Sequence, residues 1–214
     1  MTFLSASLRP LGVAIASVML LAPAAFAQDA SSDAASKRFA VVGSATILQP
    51  DSNPIKGTRT DIDGDVAPTV SASWYATPNI AVELWGAADK FNHRVHSDAG
   101  KLGTIDSQPL ALSGQYHFGS ADNTFRPFLG LGYYESNFSN EKIDDADGLH
   151  VGVDSAKGGI ATAGLDINIS PTWFARTDVR YMKGKSDINV AGANSGQELT
   201  YDPWTVGFGL GARF

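Results

Sequence analysis

The final stretch Trp204 to Phe214 (WTVGFGLGARF) constrains the fold of this chain more than any other. Trp204, Val206, Phe208, Leu210, Ala212 and Phe214 put an apolar residue at every second position. Thr205, Gly207, Gly209, Gly211 and Arg213, small or polar, fill the positions between. A period of two sends one set to one face of a strand and the other set to the opposite face. Such a strand is long enough to cross an outer membrane when tilted. It ends on Phe214, and a terminal aromatic on the last strand is what outer-membrane barrel assembly machinery recognises. The chain is therefore read first as a membrane β-barrel.

The opposite end reads as a secretory leader. Arg9 gives a positive start, Leu11 to Leu21 an apolar core, and Ala25-Phe26-Ala27 a small-x-small cleavage site. The core is short for a spanning anchor, so residues 1–27 are expected to be removed. Residues 28–37 open with small polar side chains and are expected to be a flexible segment, with the barrel over 38–214. No apolar run long enough for a helical span follows the leader. The absence of cysteine removes disulfides and thiolate metal sites. A net charge of −6 without basic clusters argues against nucleic acid as a partner.

Turn signals divide the rest into hairpins. Thr77-Pro78-Asn79, Gly119 to Thr124 and Ser170-Pro171-Thr172 are short turns. Longer polar stretches lie at 49–66, 90–107, 139–155 and 183–200. Short turns alternating with long loops predict eight strands, near 38–48, 67–77, 80–89, 108–118, 125–138, 156–169, 173–182 and 201–214. The predicted fold is all-β, an eight-stranded antiparallel transmembrane barrel with periplasmic turns and extracellular loops. Trp74, Tyr116, Phe118, Trp173 and Phe214 would girdle the periplasmic interface, and Tyr181 and Trp204 the outer one.

The segments GDVAPTVSASWYATPNIAVEL (64–84), GKLGTIDSQPLALSGQYHF (100–118), FRPFLGLGYYESNF (125–138), GLDINISPTWFARTDVRYM (164–182) and YDPWTVGFGLGARF (201–214) together resemble the outer membrane protein W family. The likeness runs from about Phe39 to the C-terminus. It implies an eight-stranded barrel with a narrow, apolar extracellular channel. It further implies passive uptake of small hydrophobic compounds, alkanes among them, and a lateral exit into the membrane.

Alternation also assigns the lumen. Glu83, Gln115, His117, Arg126, Asp166, Asn168, Arg176, Asp178 and Arg213 face inward near the periplasmic end. Leu48, Trp85, Phe128, Tyr134, Ile160 and Met182 face inward higher up. Eight strands leave room only for side chains. Opposite charges packed there must pair, because a lone buried charge is costly. The expectation is a polar floor beneath an apolar funnel, with Trp85, Phe128 and Tyr134 as solute contacts. A closed floor requires a side exit. Pro68, Pro109 and Pro203, which have no N–H to give a ladder, are expected to open strands two, four and eight at their extracellular ends.

Other chemistry falls away. Gly207-Phe208-Gly209-Leu210-Gly211 precedes no helix and is not a dinucleotide fingerprint. Gly184-Lys185-Ser186 lacks the earlier glycine of a phosphate loop. Asp61, Asp63 and Asp65, like Asp144, Asp145 and Asp147, read as solvated acidic loops rather than calcium ligands. His93 and His96 lack further ligands for a metal. No Ser and His share an outward face, so no lipid-modifying enzyme is expected and no cofactor. The competing class is a loop-presenting surface receptor or adhesin. Expected partners are outer-membrane lipid and lipopolysaccharide, small apolar solutes, and the assembly machinery through Phe214.

Overall fold

Eight long strands form the staves of a closed antiparallel barrel: β1 (Phe39–Gln49), β3 (Asp65–Tyr75), β4 (Ile80–Ala87), β6 (Gly100–His117), β7 (Phe125–Ile143), β9 (Ala156–Asn168), β10 (Trp173–Val190) and β12 (Trp204–Arg213). The computed structural model describes residues 33–50, 60–62, 64–97, 100–143, 151–153, 155–190 and 193–214. The leader over 1–27, residues 28–32, and the loop acids Asp63, Asp144, Asp145 and Asp147 lie outside the described residues. Each stave pairs with the next, and β12 closes on β1 from Ala40↔Arg213 to Gln49↔Trp204. Closure gives every stave a partner on both sides.

The faces are inverted relative to a water-facing fold. Leu110, Leu112, Leu129, Leu131, Phe208 and Leu210 are exposed outward, whereas Glu83, Asp166, Arg176 and Arg213 are buried inside. Trp74, Tyr116, Phe118 and Trp173 lie outside near the short turns. Trp204 stands near the loop end, where its ring packs 4.8 Å from that of Tyr181. Two aromatic bands around an apolar belt are what a bilayer requires. Inside, glycine makes room for rings. A Cβ at Gly164 or Gly211 would collide with the Phe128 or the Phe174 ring, respectively.

The strands outrun their predicted ends. β6 starts at Gly100 instead of 108, β7 runs to Ile143 instead of 138, and β10 to Val190 instead of 182. Short strands β2 (Thr60–Ile62), β5 (Phe91–Ser97), β8 (Val151–Val153) and β11 (Ala193–Tyr201) pair with one another or with these extensions. Much of what reads as loop at 90–107 and 183–200 is therefore ladder. Above the bilayer no apolar belt imposes alternation, so sequence period gives no strand signal there.

The N-terminal segment also departs from expectation. Residues 33–37 are tied across the short-turn mouth, where a flexible segment was predicted over 28–37. Ala34–Ser36 form one 3-10 turn capped by Asp33. The Ala34 N–H donates to Asp122 Oδ1 at 3.1 Å, and Lys37 Nζ donates to Thr172 Oγ1 at 2.8 Å. Arg38 Nη1 donates to the Ala76 carbonyl at 2.6 Å. The ring order places the β6–β7 turn, which carries Asp122, opposite β1, so the segment crosses the mouth as a strap.

Candidate functional site: the barrel lumen

Inward positions at the short-turn half of β4, β6, β9, β10 and β12 carry charges of both signs, and the register brings them together. Arg176 donates from Nε to Asp166 Oδ1 at 2.6 Å and from Nη2 to Asp166 Oδ2 at 2.9 Å. Its Nη1 donates to Glu83 Oε2 at 2.8 Å. Glu83 Oε1 accepts from Arg180 Nη1 at 2.8 Å, and Arg180 Nε donates to Asp178 Oδ1 at 2.8 Å. Arg213 donates to Asp166 at 3.2 Å and to Asn168 Oδ1 at 2.6 Å. His117 Nε2 and Gln115 Oε1 are 3.2 Å apart, and His117 Nδ1 lies 3.7 Å from Asp166. Apart from the half-buried Asn168, these side chains are almost entirely out of solvent. Three carboxylates thus hold Arg176, Arg180 and Arg213 in one layer, the arrangement that makes burial of charge tolerable.

Rings brace that layer. The Arg176 guanidinium carbon lies 4.5 Å from the Phe128 centroid, Arg180 4.6 Å from Trp85, and Arg213 4.1 Å from Phe174. Arg126 bonds the Pro78 carbonyl and faces the Tyr75 ring at 5.9 Å. At this end a second apolar cluster, Ala40, Val42, Tyr75, Ala81 and Phe174, packs beside the charges.

Towards the loop end, Leu48, Trp85, Tyr134, Ile160 and Met182 form one buried apolar cluster with Ala67, Phe91 and Ala111. Phe128, expected in this group, instead stacks on His117 with centroids 4.9 Å apart, within the charged layer. The register His117↔Phe128 sets it only three residues above the start of β7. Arg180 was not assigned to the floor, although the inward run Arg176, Asp178, Arg180 carries the period-two signal. Phe91 was missed because its segment reads as loop.

The three prolines differ. Pro68 and Pro109 lie inside β3 and β6 and do not open those strands; only Pro203 immediately precedes its strand, β12. At Pro203 the pairing continues through Tyr181↔Trp204 and Gly184↔Tyr201, and Met182 N–H donates to the Pro203 carbonyl at 3.0 Å. Around β4 the pairing does end. β4–β6 pairing runs from Ile80↔Tyr116 to Gly86↔Leu110, and the next rung is Phe91↔Ser107. Alternate residues of a strand bond to opposite neighbours. His117 N–H goes to Asn79, on the β4 side, so Pro109, eight residues earlier, also faces β4. Pro68 faces β4 too, since its carbonyl accepts from Ala88 N–H at 2.9 Å. The end of β4 therefore stands between two residues that have no N–H to offer. The Gln108 side chain reaches the Ala87 carbonyl at 3.2 Å beside the gap.

A family profile described as OmpW family matches residues 33–214. Outer membrane protein W of Escherichia coli is 29% identical, over 94% of this chain and 97% of its own. The crystal structure of the outer membrane protein OprG from Pseudomonas aeruginosa superposes with a TM-score of 0.67 at 24% identity, covering 83% of this chain and 96% of that one. The solid-state NMR structure of outer membrane protein AlkL in lipid bilayers gives 0.60 at 19% identity, covering 83% and 90%.

Proposed function

The chain belongs to the OmpW family of outer-membrane barrels, and on that premise we propose that it is a passive conduit for small hydrophobic molecules. Solute enters from outside among Leu48, Trp85, Tyr134, Ile160 and Met182 and leaves sideways into the membrane. The observation that carries this reading is the coincidence of an apolar cluster above, paired charges below, and a ladder that ends beside them at β4. An apolar solute moving straight down would have to part Arg176 from Asp166 and Glu83, which costs several kcal/mol. The seam between Gly86↔Leu110 and Phe91↔Ser107, with Pro109 aimed at it, is the proposed exit. The floor residues act by closing the straight route, not by touching solute. No catalytic role is assigned to any residue.

The outer leaflet and its lipopolysaccharide are the proposed surroundings, and Phe214 the proposed handle for assembly. Its backbone already closes the barrel, the Phe214 carbonyl accepting from Arg38 and Phe39. A surface-receptor reading draws on the hairpins that β6, β7 and β10 carry beyond the apolar belt.

The test is uptake of an apolar and a polar probe of equal size into cells with intact outer membranes, with and without the gene. Faster uptake of the apolar probe alone supports the conduit. Equal acceleration of both means an aqueous pore, and no change in either shifts the weight to the receptor reading.

A further inference from the structure

β7 carries no inward side chain at Gly130 and Gly132, Ser113 closes over Gly132, and hydroxyls beside this stretch are without hydrogen-bond partners among the described residues. Ser113 stands opposite Gly132 on β6, and Thr162 opposite Gly130 on β9. Ser113 Oγ and Thr162 Oγ1 have no hydrogen-bond partner among the described residues, at 2% and 4% exposure. Thr205 Oγ1, fully buried, is also without one. Arg180 pairs in register with Thr162 on one side and Thr205 on the other, which sets both threonines at one level. An unpaired buried hydroxyl has given up its water without a hydrogen bond in return. Ser113 shares its row with Gly132, Ile160 and Met182, one step nearer the loops, so the three hydroxyls form a stepped collar at the base of the apolar cluster. One inward step towards the loops, Ile160 and Met182 begin the apolar cluster.

We propose that this collar seats the hydroxyl head of an amphipathic solute of the medium-chain primary alcohol class. The tail then lies among Leu48, Tyr134, Ile160 and Met182. This inference rests on the conduit reading and names a solute class for it. Head-group chemistry selects the class. A hydroxyl both donates and accepts, as the collar's own hydroxyls do. Glu83, Asp178, Arg176 and Arg180 are already paired with one another, so a carboxylate or an ammonium would bring a further charge into a dry site without a free counter-charge. An alkane fits the cluster but leaves the collar unpaired, and a site built to hydrogen-bond discriminates against the analogue lacking the group.

The experiment compares uptake of labelled 1-octanol and octane by intact cells producing the wild-type chain, the Ser113→Ala/Thr162→Val double variant, or Thr162→Ser. Octanoate and octylamine serve as competitors. The double variant is expected to lower barrel-dependent octanol uptake about three- to tenfold, the worth of one or two neutral hydrogen bonds, with octane unchanged. Thr162→Ser keeps the wild-type ratio, and neither charged competitor slows octanol. An unchanged octanol-to-octane ratio in the double variant overturns the collar while leaving the conduit standing. If neither solute depends on the barrel, the conduit reading falls and the collar with it.

Discussion

Arg176 grips Asp166 through two near-parallel hydrogen bonds, at 2.6 and 2.9 Å, in the middle of a barrel whose outer wall is hydrocarbon. Arg213 leans on the same carboxylate at 3.2 Å. Asp166→Ala leaves Arg176 with Glu83 as its one carboxylate and Arg213 with the neutral Asn168 Oδ1. The expected loss is about 3–5 kcal/mol in urea unfolding of the lipid-reconstituted barrel. A loss under about 1 kcal/mol would mean that the layer is solvated and does not close the lumen.

Two glycines separate packing from lipid contact. Gly211→Val drives a side chain into the Phe174 ring, whereas a Cβ at Gly114 meets nothing within 4 Å. Overpacking of this kind costs about 1–3 kcal/mol. Folded yield on refolding into vesicles should drop for Gly211→Val and hold for Gly114→Val. Equal behaviour would refute the assigned faces of β12 and β6.

The strap depends on one carboxylate at its far end. Asp122→Ala removes the acceptor for the Ala34 N–H, a bond worth about 1 kcal/mol. Limited proteolysis from the periplasmic side should then cut near residues 33–37 about fivefold faster. Unaltered cutting would show that Lys37 and Arg38 hold the segment unaided.

Supplying the missing donor at the seam should slow exit. Pro109→Ala restores an N–H facing β4, and apolar uptake is expected to fall about threefold, the factor for a hydrogen bond near 0.7 kcal/mol. Pro203→Ala, where pairing already continues on both sides, should change nothing. Equal effects would remove the distinction drawn between the two.

The belt was legible because a bilayer enforces alternation: Trp204 to Phe214 and the inward Arg176, Asp178 and Arg180 are read directly from period two. The hairpin ladders outside it were not, since polar residues on both faces leave no period. Phe128 was given its face but the wrong depth, although it lies only three residues beyond the short turn that the sequence marks before Phe125. The direction of Pro109 was hidden because it follows from counting along β6 from His117, and that count needs the pairing. The strap was unreadable because its bonds reach turns far along the chain, at Asp122 and Thr172.

The most direct test of the lateral exit is a reversible staple across the seam. The chain has no cysteine, so Gly86→Cys with Leu110→Cys introduces a single disulfide between paired residues of β4 and β6. Apolar uptake should fall to the level of cells lacking the barrel when the staple is oxidised, and recover on reduction. Uptake that ignores the staple would contradict a route through this seam.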